Sequence, residues 1–245
     1  MKKIFAKREE INLLISILVL TFVFGFDDGS KIFVLTNWLL NLIKIFFLVV
    51  IAILFRELII KYFAKRHDAT SEYELWRMKK MWFGGGNLTK GFPFGIILAL
   101  IFTIFSQGKL FFTAIGIHSL TEYKIARLGR KHPTLNYFEE AQIASAGIIS
   151  SLFLAVAGLL IGRIFGINMN YFVNINFFIA LFNMLPFSNL DGAKIFFGSL
   201  IMYIFVLVFI IVGFIIIKFT IFFGLILAFL AACIAAFIYF YKINF

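Results

Sequence analysis

Two acidic residues stand where acids are expensive. Most of the twelve Asp and Glu lie in polar stretches or at the edges of apolar runs, but Glu57 and Asp191 each sit at the inner end of a long one. An ionisable group there costs roughly 2.5–3.5 kcal/mol on insertion scales, so it normally faces other protein and has a partner. Two arrangements are open: both carboxylates are solvated at the interface, or they meet across a helix bundle. The neighbouring residues favour the meeting. Glu57 follows Arg56 in Phe55-Arg56-Glu57-Leu58-Ile59-Ile60-Lys61-Tyr62-Phe63-Ala64, and a guanidinium forms forked pairs with carboxylates. Asp191 ends the stretch Asn183-Met184-Leu185-Pro186-Phe187-Ser188-Asn189-Leu190-Asp191, followed by Gly192.

The second stretch resembles the N-x-x-P-x-x-x-L-D-G signature of site-2 proteases, intramembrane zinc metalloproteases, through Asn183, Pro186, Leu190, Asp191 and Gly192. The first is then similar to that family's H-E-x-x-H-x-x-x-A helix, keeping Glu57 and Ala64. Ala146-Gly147 stands where the family often has an A-G-P-x-x-N turn, with Ile148 and Ser151 in place of Pro and Asn. Spacing and span order agree over residues 45 to 215, and the basic, tryptophan-containing insert is similar to an archaeal branch. The resemblance implies a six-span core and a cleft between the second and fourth spans, where a substrate helix is unwound. It also implies a zinc ion held by two histidines and the aspartate, with the glutamate acting on metal-bound water.

The departures bear directly on that chemistry. The two histidine positions hold Arg56 and Ile60. A guanidinium offers no lone pair at neutral pH and isoleucine has no donor atom, so neither binds zinc. Asp191 is a metal ligand only if zinc is bound by some other route, and Glu57 keeps the catalytic position without a metal-bound water to act on. His67, His118 and His132 all fall in the polar insert, and a substitute ligand would have to fold back from there. The leading expectation is a catalytically inactive homologue, without a cofactor, that binds a transmembrane helix of another protein. Arg56, Asn183, Pro186, Asp191 and Gly192 would shape its cleft, with Arg56 bonding Asp191 as a fixed cation where the family has a metal. The opposing placement is Arg56 snorkelling out to the headgroups. Two further functions stay open: an active zinc endopeptidase with unorthodox ligands, and a transport or structural role with Glu57 and Asp191 lining an ion path.

The elements that must position these residues are membrane spans. Of the 245 residues 62% are hydrophobic and 14% charged, and the mean hydropathy is +1.02; a soluble domain is about half apolar and a quarter charged. Six apolar runs read as spans of an all-α multi-pass membrane protein: 11–26, 33–60, 141–161, 170–187, 195–217 and 219–241. No small-x-small cleavage site follows the first, which is therefore expected to be retained. The face Ala144, Gly147, Ser151, Ala155 and Gly158 allows close helix packing in the third. The last two are divided only by Lys218. Residues 61–140 form an insert with twelve Lys and Arg. Within it, Phe94–Phe105 is apolar but too short to cross, which predicts a re-entrant segment between Gly84-Gly85-Gly86, Pro93 and Gly108. Ala69–Trp76 and Leu110–Ile117 read as short strands, with Trp76 and Trp82 as headgroup anchors beside Arg77, Lys79 and Lys80. Basic residues place the insert and both termini in the cytoplasm, leaving Lys31, Arg163 and Lys218 outside. The whole chain reads as one membrane domain.

Composition and motifs exclude several functions. The net charge of +11 fits cytoplasmic loops facing the lipid bilayer, and no nucleic-acid partner is expected. Gly84 to Gly91 lacks the phosphate-loop spacing despite Lys90. The Asn87-Leu88-Thr89 sequon falls on the cytoplasmic side, where it is idle. Ser145, Ser150 and Ser151 have no base nearby in sequence, against a serine protease. The lone Cys233 forms no disulfide within the chain.

Overall fold

The computed structural model describes residues 5–30, 32–80, 87–123, 134–216 and 221–244. Among these the chain forms α1 (Lys7–Gly25), α2 (Leu35–Arg66), β1 (Ala69–Leu75), β2 (Met78–Lys80), β3 (Asn87–Phe92), α3 (Phe94–Phe105) and β4 (Gly116–Glu122). There follow α4 (Tyr137–Phe165), α5 (Asn170–Asn183), α6 (Asp191–Gly198), α7 (Leu200–Ile216) and α8 (Ile221–Asn244). Trp82, Gly84–Gly86, His132 and Lys218 lie outside the described residues, as do Lys31, Lys124, Arg127, Arg130 and Lys131.

Among the described residues, three helices are long and apolar enough to cross a membrane: α2, α4, and Gly224–Ile243 of α8. At 1.5 Å per residue, α2 reaches about 48 Å against a hydrocarbon core of about 30 Å. By the same rise α7 is about 26 Å long and α5 about 21 Å, so the expected fourth run is short for a full crossing.

The chain divides into two compact units, Met1–Leu54 with Glu72–Ser119, and Phe55–Ser71 with Leu120–Phe245. In the first, α1 packs on α3, and Gly95 lets α3 approach the chain closely. A Cβ there would lie 2.8 Å from the Ile115 carbonyl oxygen. The buried Glu9 carboxylate accepts the backbone N–H of Ala6 at 3.2 Å and that of Tyr73 at 3.1 Å, tying the start of α1 to β1. β1 pairs with β4 and β2 with β3.

The second unit contains the motifs. α4 starts at an Asn136 cap whose side chain accepts the Phe138 N–H at 3.3 Å, while Glu139 accepts the Asn136 N–H at 3.1 Å, a reciprocal box that satisfies two end donors. Its small-residue face is buried as expected: Gly147 meets Ile60 of α2, and Gly158 meets Phe172 of α5. Ala144 and Ile148 of α4, Phe177 and Ala180 of α5, and Val206 and Ile210 of α7 form one core.

Several expectations need correction. The helix of the expected span 33–60 is longer and runs on to Arg66. Ala64 is wholly buried against Ile60 and Ile143, and Lys61 donates to the Ser71 carbonyl at 2.8 Å, so these residues have inward partners despite the charge around them. Trp76 is no headgroup anchor. It is 5% exposed and lies edge-on to Phe94 at 5.0 Å and stacked near Phe112 at 6.4 Å. Leu110–Ile115 forms no strand; pairing starts at Gly116. The run 195–217 is broken at Ser199, whose backbone is extended. Gly198 there packs on the Tyr137 carbonyl, and a side chain would prevent that approach.

Candidate functional site

The N-x-x-P-x-x-x-L-D-G stretch folds as helix, turn and helix. Asn183 closes α5 by donating its side-chain N–H to the Ile179 carbonyl at 2.8 Å. Pro186 sits exposed in the turn, where the helix has already ended and no backbone donor is needed. Ser188 takes a positive φ of 54°, and Leu190, fully buried, leads into α6. Gly192 lies so close to the Met184 carbonyl that any Cβ would collide with backbone. Glycine is therefore a steric requirement of this turn. Together these residues aim Asp191, the first residue of α6, into the protein, where it is 1% exposed.

From α2, Arg56 meets it. The guanidinium is 2% exposed and its Nη2 donates to Asp191 Oδ2, across 135 residues of sequence. Its Nη1 donates to Glu57 Oε1 at 3.3 Å, so both carboxylates share one cation. Among the described residues, Arg56 Nε is buried without a hydrogen-bond partner. The pair across the helices is the arrangement expected of a fixed cation, and outward snorkelling does not occur. Two acids brought together in a dry place repel, and a guanidinium between them offsets that cost.

One turn further along α2, Ile60 is 1% exposed and presses on Gly147, its Cδ1 2.6 Å from where a Cβ of that residue would be. The residues present do not fit a zinc ion. At one of the two positions that resemble the family's histidines a guanidinium already occupies the Asp191 carboxylate; at the other a hydrocarbon side chain fills the space. Among the described residues, no three of His, Cys, Asp and Glu come together as a metal set. His67 has its Nδ1 3.9 Å from Glu139, and His118 is buried with its ring edge-on to Tyr73. Ser145, Ser150 and Ser151 donate to the carbonyls of Gln142, Gly147 and Gly147 respectively, an ordinary role for hydroxyls on a buried helix face.

Of the residues singled out in sequence, Arg56, Glu57 and Asp191 converge, while Asn183, Pro186 and Gly192 build the turn that brings Asp191 to them. Sequence reading missed a groove of about 670 Å3 between α2 and α4, lined in part by Phe55, Ile59, Ile149 and Phe153. The signal was present as apolar residues four apart on both helices, but such a stripe alone reads as core or lipid face.

The chain is 27% identical over 201 residues to a Methanocaldococcus jannaschii protein named "Putative zinc metalloprotease MJ0611", an alignment covering 78% of this chain and 84% of the relative. No protein-family profile matches the chain, and no solved structure does.

Proposed function

We propose that this chain is a catalytically inactive homologue of the site-2 intramembrane proteases, which holds a transmembrane helix of another protein without cutting it. The observation that supports this most is the buried ion pair of Arg56 with Asp191. It occupies, with a side chain unable to bind metal, the place where the resembled family coordinates zinc. Glu57 shares the same guanidinium. The archaeal relative's name favours a second reading, an active zinc endopeptidase. Metal analysis of the detergent-purified full chain separates the two when paired with incubation against transmembrane-helix substrates. Substoichiometric zinc and intact substrates are expected; one zinc per chain, lost to chelator together with a cleavage activity, would refute inactivity.

In this reading α1, α2, α4, α5, α7 and α8 are six spans, and both termini and the segment between α2 and α4 face the cytoplasm. The distribution of Lys and Arg supports that orientation. Cysteine labelling in sealed vesicles, in a Cys233→Ser background, tests it. Lys79→Cys and Lys124→Cys should resist an impermeant reagent added outside, and Ser30→Cys should react; the reverse pattern would overturn the topology.

A further inference from the structure

The groove between α2 and α4 has two unlike ends. On α2, Phe55, Ile59 and Phe63 follow one another at four-residue spacing and lead to Arg66; on α4, Ser145, Ile149 and Phe153 do the same. The Phe55 and Phe153 rings stack at 6.3 Å and 17°, giving the apolar end an aromatic wall. At the other end Arg66 is exposed in the last turn of α2 beside Lys65, with His67 also lining the groove. The first turn of α4 carries two acids, Glu139 and Glu140; Glu139 is engaged in its own helix cap and lies 3.9 Å from His67. Among the described residues, no acid forms an ion pair with Arg66.

We propose that this groove binds an anionic glycerophospholipid, its phosphate at Arg66 and a hydrocarbon chain along Ile59, Ile149 and the Phe55–Phe153 wall. Charge and shape both select it. A guanidinium fork matches a phosphate in geometry and sign, and basic pockets between membrane helices recognise such headgroups. The volume of about 670 Å3 has room for about twenty heavy atoms at the ~30 Å3 each that water takes in the liquid. That is one long chain with its phosphate. A helix with side chains is about 10 Å across, so the same space holds fewer than two turns of one. The helix-binding role proposed above does not compete for it, and the lipid site stands whether or not that role holds.

The test is native mass spectrometry of the full chain in mild detergent, offered equal phosphatidylglycerol and phosphatidylcholine with identical chains. One phosphatidylglycerol should be retained, preferred by about fivefold or more, as one arginine near a headgroup predicts. Arg66→Gln, a surface change that leaves the core untouched, should bring the ratio close to one. Ala146→Phe should reduce binding of both lipids by filling the groove, and Arg66→Gln keeps the proposal testable if that variant fails to fold. Equal retention by the unmodified protein, a preference that survives Arg66→Gln, or displacement by inorganic phosphate alone would each overturn it. So would displacement of the lipid by a synthetic transmembrane peptide, which would make the groove a helix site.

Discussion

Replacing Arg56 with methionine should destabilise the detergent-solubilised protein by about 3–5 kcal/mol, the range for breaking a buried ion pair by removing one partner. Methionine keeps much of the apolar stem and removes the charge, so Asp191 and Glu57 remain buried without the guanidinium they share. Asp191→Asn should cost less, because an amide oxygen still accepts from Nη2. The double variant should cost less than the sum of the two, with a coupling of about 1 kcal/mol or more, since with Asp191 neutralised the loss of the guanidinium strips that cation from one buried carboxylate instead of two. Equilibrium unfolding of the four proteins measures this. Purely additive losses would mean that the pair contributes nothing as a pair, and the idea of a cation in place of a metal would fall.

The opposite experiment supplies the two imidazoles that the resembled motif has at these positions. Arg56→His with Ile60→His should convert a chain that takes up little zinc into one holding about one zinc per chain. The two positions lie one helical turn apart on α2, both buried, with Asp191 already within reach of position 56 and Gly147 leaving room at position 60. Two imidazoles and a carboxylate make the donor set that a tetrahedral site with one open position requires. Either histidine alone should fall short by more than the roughly 10–100-fold that a partner merely hydrogen-bonded to a ligand commands. Metal content after dialysis against a weak chelator gives the answer. A folded double variant that takes up no zinc would show that the scaffold no longer presents Asp191 as a ligand, and the kinship of this site with the zinc proteases would lose its main support.

Much of the fold was legible because the bilayer constrains it so strongly. The apolar stretches of α1, α2, α4 and α5 could be placed within a few residues, since a backbone in hydrocarbon must satisfy its own hydrogen bonds and a helix does so. Where the reading failed, packing had overridden polarity. The break at Ser199 was invisible in an unbroken apolar run, because its cause is the close approach of Gly198 to Tyr137 on another helix. Trp76 had the surroundings of an interfacial anchor, but Phe94 and Phe112 enclose it.

At the site the division has a single physical origin. That Arg56 and Ile60 cannot ligate zinc is a property of their functional groups, so the letters alone determine it. That Gly192 follows Asp191 was also plain, though its reason, the Met184 carbonyl pressed against it, was not. The sequence could not say whether the Arg56 guanidinium lies among headgroups or on Asp191. A long side chain near a helix end can go either way, and the outcome depends on which face of α2 is covered. Only the tertiary structure decides that. Gly147, with no side chain, brings α4 against the face that carries Arg56 and Ile60, and the turn from Asn183 to Gly192 delivers the carboxylate that meets the guanidinium inside.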